Sequence, residues 1–591
     1  MALQDPIRIW RVPGMVFGPH ELATGLEAMT PAVLTRIQHA GFTGVWLMVR
    51  LREVTTTTVF PELGAEAERS QNDLRDLSSR CCRAGLKLYL HLNEPRGFAA
   101  DDPFWQAHPD LRGAASPSVN DEGLYGWRDS CAMCTSEPRT LAWLEQACTD
   151  IFRNVPELGG VECVTASEHT THCYSHFDAC GSGIGEHHGQ NPGDILDCSH
   201  CRERRPTDIL REVLLAIEQG VHAASPSADV IAWTWSWDMC APSPQADLIE
   251  SLPPGIIIMP DNERGGELEW NGHKQRVDEY SLNYIGPSPR AREQIEAARR
   301  SGKRAMIRIQ INHTVEFATA PNWPLIANLY RKLANLRAIG ISDVMAAWNF
   351  GNNPDTLNVF ALSRFLRQPE WRDEEAFLET VACEYFGLAD GRAAAEVWRA
   401  FGEAVKPYPF GYGILYFSPF NLGCAYPLPN HEPRTESMQL WCFETRGRQG
   451  DMLEQSVEPY GIAEIVERLD TMYKLWHPAV AEYEVAVAGA TDRSHADQEL
   501  NVARFFGHLV HSAWVLFSWF GWRYYPATVP SLDLESMRQR LRSELQNLDD
   551  AAALLERDSR LGFYEEDRKY YVSPALVRAK RMSDAELLET L

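Results

Sequence analysis

Short apolar runs alternate with longer amphipathic segments along the first two thirds of the chain. The runs are rich in β-branched and aromatic residues and are bounded by glycine, proline or polar residues, which is typical of buried strands. Eight runs predict strands, at residues 7–12, 43–49, 86–92, 159–167, 230–237, 255–260, 304–312 and 343–348. Because helical spacing fills the segments between them, the pattern predicts an α/β fold, a (β/α)8 barrel.

Polar side chains follow most of these predicted strands instead of preceding them. In a (β/α)8 barrel the carboxyl ends of the strands form a single face, and that face holds the chemistry. A doubly wound sheet also alternates strands with helices, but it rarely places acids or amides after so many successive strands. The positions of the polar residues therefore favour the barrel and predict a site at its carboxyl face.

The alternation stops near residue 367, and helical patterns follow at 374–384, 393–404, 461–477 and 497–520. We therefore expect residues 1–367 to form a catalytic barrel and residues 368–591 to form a mainly α-helical domain. Two connections, at 97–136 and 169–205, are too long for simple turns. We expect these long loops to form walls of the site.

Composition narrows the range of partners. The 591 residues include 56 basic and 81 acidic side chains, for a net charge of -25, which argues against nucleic acid and anionic membranes. The apolar run at 509–522 is short and includes His511 and Ser512, so it predicts a buried helix and no membrane span. The first residues lack the pattern of a secretory signal, so we expect a cytoplasmic protein. The sequence is compatible with a homo-oligomer.

The fourth predicted strand, Gly-Gly-Val-Glu-Cys-Val-Thr, leads into the sequence Ser167-Glu168 and then into three histidines and a cysteine. A carboxylate at the carboxyl end of a buried strand, in a polar context, suits a general acid that protonates a leaving group. The alternative is a carboxylate that only forms a salt bridge with Arg50 or Arg96. We prefer Glu168 as the catalytic acid.

Glycoside hydrolysis needs a second carboxylate, which acts either as the nucleophile or as the base that activates water. Candidates follow the fifth, sixth and seventh strands: Asp238, Asp261, Glu263 and Glu316. We prefer Glu316, because strands four and seven face each other across a barrel mouth, and Asp238 comes next. Glu316 lies four residues beyond Asn312, so binding of a sugar hydroxyl is nearly as good an interpretation of its position.

Other strand-end residues are expected to bind substrate. The polar ones are Arg50, Asn93, Glu94, Arg96, Asp261, Glu263, Asn312 and Asn349. The arginines would orient carboxylates or meet an anionic substituent. Three tryptophans are expected to pack against the face of a sugar ring: Trp235, Trp237 and Trp348. Each polar residue could equally be a satisfied structural group.

Four motifs carry a resemblance to a known group: LHLNEP after strand three, TASE after strand four, WTWSWD after strand five and AAWNFG after strand eight. With the barrel pattern, the first 365 residues or so resemble the (β/α)8 glycoside hydrolases, including β-N-acetylhexosaminidases and α-glucuronidases. The resemblance implies an exo-acting enzyme on a carbohydrate substrate, with Glu168 as the acid. Substrate-assisted hexosaminidases have Asp directly before the acid, where this chain has Ser167. A direct two-carboxylate mechanism, with retention, is therefore expected.

Cysteines form a second constellation. Cys198 and Cys201 make a CxxC motif, and Cys173 and Cys180 lie shortly before it, so the four predict a thiolate zinc site. Cys134, on the preceding long connection, is a substitute ligand for Cys180. A closed thiolate site leaves no position for water, so the zinc would be structural, and no cofactor is expected for catalysis. The alternative is a set of unrelated buried thiols.

Two other functions stay open. His169, His172 and His176 after strand four would suit a metal-dependent barrel hydrolase or lyase. Against this, the chain has no HxH pair after the first strand and no HExxH motif. The second alternative is a barrel that binds a sugar without cleaving it.

Overall fold

The computed structural model describes most of the chain: residues 5–15, 17–18, 21–120, 127–167, 169–175, 177, 179–180, 196–368, 370–429, 453, 457, 459–565 and 568–591. It divides into two compact units that alternate along the sequence. The first unit comprises Met1–Arg264, Pro287–Ile309 and Ile339–Ala346, and the second comprises Gly265–Gly286, Gln310–Ala338 and Ala347–Leu591. This division differs from the single boundary at 367/368 that the sequence suggested, and that boundary stays a prediction.

Eight parallel strands build the first unit. They are β1 (Arg8–Arg11), β2 (Gly44–Met48), β3 (Lys87–Leu92), β4 (Leu158–Val164), β5 (Asp229–Trp233), β6 (Ile256–Met259), β7 (Ile307–Arg308) and β8 (Val344–Met345). Their order in the sheet is β7-β8-β1-β2-β3-β4-β5-β6. Two parallel bridges, Ile258 with Ala305 and Asp261 with Arg308, then join β6 to β7. The ring is therefore closed, which confirms the predicted (β/α)8 barrel.

Helices follow the barrel strands, as the periodicity predicted. In the first unit they are Glu21–Ala28, Pro31–His39, Leu51–Val54, Ala67–Arg83, Phe104–Ala107, Pro138–Asn154, Pro206–Ala224, Ala246–Ser251 and Pro289–Arg300, with 3-10 turns at Pro109–Leu111 and Trp237–Met239. Several begin with proline in the first turn, where its missing N–H is not needed. The Oγ atoms of Thr30 and Ser288 cap two of these helices by accepting from backbone N–H groups.

The long connection after β3, predicted from sequence as a long loop, contains secondary structure of its own. It contains an antiparallel sheet of Phe98–Ala99, Arg112–Asn120 and Trp127–Met133, with the last of these strands in the centre. The strand Arg112–Asn120 reads RGAASPSVN, which lacks the apolar alternation that signals a strand. Pairing with the neighbouring strand, and not local sequence preference, therefore specifies this sheet.

The second unit is mainly helical, as expected. Its helices are Ile326–Ala338, Leu357–Arg367, Glu374–Phe386, Arg392–Ala404, Tyr412–Phe417, Ile462–Ala486, Arg493–Tyr524, Leu534–Arg557 and Pro574–Thr590, with 3-10 turns at Pro419–Asn421 and Gly423–Ala425. Two antiparallel hairpins accompany them, Gly266–Trp270 with His273–Val277 and Phe563–Tyr564 with Lys569–Tyr570. Across the described residues, no helix has an apolar stretch long enough to cross a membrane.

Close packing between β4 and β5 gives a test of the barrel. A Cβ atom added to Gly160 would lie 2.1 Å from the backbone oxygen of Asp229 on the neighbouring strand. We expect Gly160→Ala to lower the free energy of unfolding by about 1–3 kcal/mol, because a methyl group there overpacks a rigid backbone contact. Thermal unfolding of the variant measures the effect. Gly489→Ala is the control, since nothing lies within 4 Å of an added Cβ at that exposed position; equal melting temperatures for the two variants would contradict the packing.

Candidate active site

Strand register determines which polar side chains share one face of the barrel wall. His91 on β3 pairs with Glu162 on β4, and Glu162 pairs with Ile231 on β5. On the next strands Trp233 pairs with Met259, and Asp261, two residues further, pairs with Arg308 on β7. Because side chains alternate along a strand, these positions fall on one face of the wall. Direct contacts between His91 and Glu162 and between Trp233 and Asp261 agree with this assignment.

Five side chains at this face form what we call the mouth cluster: His91, Glu162, Asp261, Glu263 and Arg308. All are at most 1% exposed. The His91 Nδ1 lies 3.3 Å from the Glu162 Oε1, and the Arg308 Nη1 lies 3.4 Å from the Glu263 Oε2. Because buried charges are tolerated when they are paired and hydrogen-bonded, these two separate contacts explain how Glu162, Glu263 and Arg308 can be buried.

Asp261 has a raised pKa within the mouth cluster. The Trp233 Nε1–H lies 3.0 Å from both of its carboxylate oxygens. Burial raises the pKa of Asp261 to about 6, against the opposing influence of the Arg308, Arg264 and Arg290 charges. Such a carboxyl group changes its charge near neutral pH, as acid–base chemistry requires.

Glu94 and its neighbours connect the ends of β2 and β3. The Leu51 N–H donates to the Glu94 Oε1 at 2.7 Å, and the Arg96 N–H donates to the Oε2 at 2.6 Å. Burial raises the pKa of this carboxyl group above its ordinary value. The two backbone hydrogen bonds to Glu94 therefore connect the segments that follow β2 and β3.

Two other predicted binding residues lie near these strand ends. The Asn93 Oδ1 lies 3.2 Å from the Nε2 of His91, a member of the mouth cluster. Arg50 is buried, and its Nη1 lies 3.3 Å from the Glu53 Oε1.

Asp238 is held by several cationic and amide groups. Its Oδ1 accepts from the Gln245 Nε2 at 2.8 Å and the Arg290 Nε at 3.2 Å, while its Oδ2 lies 3.3 Å from the Arg264 Nε. Burial alone would raise the pKa of Asp238, but Arg290 and Arg264 hold it below the ordinary value. Both oxygens are therefore committed to ion pairs and an amide.

The two tryptophans after β5 lie in different environments. The guanidinium of Arg264 stacks over the half-buried Trp235 ring at 4.4 Å. Trp237 is fully buried and donates from its Nε1 to the Thr165 Oγ1 at 3.0 Å. Of the two tryptophans in this loop that were predicted to stack on a sugar, only Trp235 is partly exposed.

The predicted residues after strands seven and eight belong to the second unit. Glu316 has no exposed surface; it accepts from the Ser281 Oγ at 2.6 Å and the Leu282 N–H at 2.8 Å. Burial raises its pKa to about 7. The Asn312 Nδ2 donates to the backbone oxygens of residues 351 and 353, both at 2.9 Å. Trp348 and Asn349 are also buried in this unit. Glu316 and Asn312 thus have the contacts of loop anchors.

Glu168, the preferred acid, and His176 lie outside the described residues. Ser167 and His169, on either side of Glu168 in the sequence, are 1% and 2% exposed. The His172 Nδ1 accepts from the Tyr174 N–H at 3.1 Å. Among the described residues, the one group of three or more metal-ligating side chains is formed by cysteines: Cys134, Cys173, Cys198 and Cys201. Cys180, preferred from sequence over Cys134, is exposed and lies outside this group.

Three members of the mouth cluster were missed from sequence: His91, Glu162 and Arg308. A usable signal exists for each, because each is a charged or titratable residue flanked on both sides by apolar residues within a predicted strand. The predicted strand-end rule looks only past the end of the strand. It therefore overlooks titratable side chains that lie within the strands themselves.

Comparison with known proteins supports the fold. No protein-family model and no curated protein matches the chain. Among solved structures, a GH138 enzyme targeting the pectin rhamnogalacturonan II aligns over 99% of this chain and 84% of its own, with a TM-score of 0.55 and 9% identity. The fold is shared.

Two further solved structures align with lower TM-scores. An exo-β-1,4-mannosidase from Opitutaceae bacterium strain TAV5 aligns over 58% of this chain and 51% of its own, with a TM-score of 0.33 and 15% identity. The protein TcOYE aligns over 63% and 91% respectively, with a TM-score of 0.36 and 11% identity. Similarities of this size support no conclusion about the activity of this chain.

The contacts of Glu316 lead to a direct test of its role. We expect Glu316→Gln to leave catalytic turnover within about threefold of wild type, because the amide fills the same volume. Glu316→Ala should destabilise the fold by about 1–3 kcal/mol, because the buried Leu282 N–H loses its acceptor. Denaturant unfolding and turnover, measured on both variants, separate anchoring from catalysis. A folded Glu316→Gln protein without activity would restore Glu316 as a catalytic carboxylate.

The raised pKa of Asp261 leads to a pH dependence of stability. Its folded-state pKa of about 6 lies above the ordinary value of 3.8, so the folded protein binds this proton more tightly than the unfolded chain. This contribution to stability is complete below about pH 4 and is lost as the pH rises towards 6. We expect the difference in unfolding free energy between wild type and Asp261→Asn to change across that interval, measured by urea unfolding at a series of pH values. A difference that is flat from pH 4 to 6 would contradict the assignment.

Proposed function

We propose that this chain is a glycoside hydrolase with its active site at the carboxyl face of the barrel. The observation that carries the proposal is the mouth cluster, whose three buried carboxyl groups and arginine lie in or just after β4, β6 and β7, towards the strand ends where (β/α)8 enzymes hold their chemistry. Hydrolysis of a glycosidic bond requires two carboxyl groups in different protonation states. A neighbouring pair with differently shifted pKa values, Asp261 and Asp238, indicates that this region of the protein creates such differences.

We assign the acid to Glu168 and the second carboxylate to Glu263. Glu168 keeps its role from the sequence argument, as the first carboxylate after β4. Glu263 follows β6 in the mouth cluster, and its Oε2 lies 3.4 Å from the Arg308 Nη1, which would orient the carboxylate as a nucleophile requires. Glu316 and Asp238, preferred from sequence, are held by shorter contacts on both carboxylate oxygens, at 2.6–2.8 Å and 2.8–3.3 Å respectively. The contacts of Glu263 with Asn262 and Arg308 are both 3.4 Å. The shorter contacts of Glu316 and Asp238 favour structural roles.

In the proposed reaction Glu168 protonates the glycosidic oxygen as the bond to the anomeric carbon breaks. The Glu263 carboxylate attacks that carbon through an oxocarbenium-like transition state and forms a covalent glycosyl ester. Water, deprotonated by Glu168, then cleaves the ester and returns Glu263 to its ionised form. Asp261 and Arg308 would set the charge around Glu263, and Trp235 would offer a ring face to the sugar. We also propose that the enzyme removes terminal sugars and retains the configuration of the anomeric carbon.

The first test is a substrate panel. We expect wild type to cleave at least one member of a set of aryl α- and β-glycosides, uronides and pectic oligosaccharides. Pectic substrates are included because the GH138 enzyme with the shared fold is described as targeting rhamnogalacturonan II. Glu168→Gln and Glu263→Gln should each lower kcat by about 10²–10⁴-fold, since each removes a group that acts on the reacting atoms. The anomer formed first, observed by proton NMR, reports retention, and release of monosaccharide alone reports exo action.

Each alternative gives a different result in the same panel. Full activity in Glu263→Gln with none in Glu316→Gln would move the second carboxylate to Glu316. Full activity in Glu168→Gln would refute the proposed acid. If no substrate were cleaved but a sugar raised the melting temperature, the protein would be a sugar-binding barrel. Activity that required added metal and disappeared on chelation, with the fold intact, would favour the metal-dependent hydrolase or lyase.

A further inference from the structure

Four cysteines from distant parts of the sequence meet in the first unit. Their Sγ atoms all lie within 4.8 Å of one another, and all four residues are buried. Cys134 follows the strand Trp127–Met133, Cys173 lies in the segment after β4, and Cys198 and Cys201 precede the helix Pro206–Ala224. Cys134 and Cys198 are separated by 64 residues. Chance packing of buried thiols would rarely bring four such positions to one point.

The distances between the sulfur atoms are those of a tetrahedral metal site. The Cys134 Sγ lies 3.7 Å from the Cys198 Sγ and 3.6 Å from the Cys201 Sγ. A zinc ion with bonds of about 2.3 Å to four thiolates separates the sulfurs by about 3.8 Å. A disulfide would bring two sulfurs to about 2.05 Å, which these separations exclude for both pairs. A four-iron cluster is larger than a single ion and would spread its thiolates further apart.

The surroundings of the sulfurs are those expected around bound thiolates. The Ala114 N–H donates to the Cys173 Sγ at 3.4 Å, and the Ser136 Oγ lies 3.1 Å from the Cys201 Sγ. Outer hydrogen bonds of this kind orient metal ligands. Gly113 also contributes, because a Cβ atom there would lie 2.6 Å from the Cys173 Sγ. The chain thus leaves room for the sulfur and supplies donors to it.

We propose that Cys134, Cys173, Cys198 and Cys201 bind one Zn²⁺ ion in a closed structural site. A tetrahedral set of four thiolates is the preferred environment of zinc and leaves no position for water or substrate. The ion connects the inserted antiparallel sheet to the segment after β4 and to the start of the helix Pro206–Ala224. This proposal concerns metal binding and fold, so it is independent of whether the barrel cleaves glycosides.

Zinc content tests the site directly. Protein expressed in defined medium with zinc and analysed by inductively coupled plasma mass spectrometry should contain one zinc per chain. Cys134→Ser should lose at least half of that zinc. Cys180→Ser is the matched control: it comes from the same cysteine-rich region, is exposed, and lies outside the group of four. It should therefore retain the full amount of zinc.

A second measurement uses wild type alone, in case a cysteine variant fails to fold. X-ray absorption at the zinc edge should show four sulfur neighbours at about 2.3 Å. Nitrogen or oxygen neighbours, a stoichiometric amount of iron in place of zinc, or reduced and folded wild type that neither contains nor binds zinc would each overturn the proposal. So would zinc that is kept in Cys134→Ser and lost in Cys180→Ser.

Discussion

Closure of the barrel depends on the contact between β6 and β7. Both strands are short, and two isolated residue pairs join them: Ile258 with Ala305, and Asp261 with Arg308. The second pair also belongs to the mouth cluster. Asp261 and Arg308 therefore have two tasks, because the backbone that completes the ring positions the charges that we place at the active site. In this protein, the geometry of the candidate site is fixed by the same register that closes the fold.

Burial and neighbouring charges together determine the pKa values of these carboxyl groups. In water, the carboxyl groups of Asp238 and Asp261 would titrate alike, but the protein separates them. Arg290 and Arg264 contact the Asp238 carboxylate directly, so its pKa falls, whereas desolvation dominates at Asp261 and its pKa rises to about 6. The balance between desolvation and the arginine charges, and not residue type, sets the difference. Neither value can be read from the order of residues along the chain.

The positions of the strands were predictable from the sequence. The face of the barrel wall to which each side chain points was not. All eight runs were recognised because β-branched and aromatic residues cluster between turn residues, which is a local signal. Barrel strands are apolar on both faces, so the sequence does not show which residues point to the inside. Asp261 and Glu263 were found because they follow a strand, whereas Glu162 and Arg308 lie within strands and were missed. The inserted sheet was missed for a related reason: its pairing is long-range. That sheet also brings Cys134, and not the nearby Cys180, to Cys173.

The interleaving of the two units has a consequence for synthesis of the chain. The polypeptide passes between the units at five points, after Arg264, Gly286, Ile309, Ala338 and Ala346. The strands β7 and β8, which complete the ring, leave the ribosome only after parts of the other unit have been made. A nascent chain that ends near residue 264 carries six barrel strands with two open edges, and unpaired strand edges invite aggregation. Closure of the ring must therefore wait for the eighth strand, and neither unit can be produced by cutting the gene at one place.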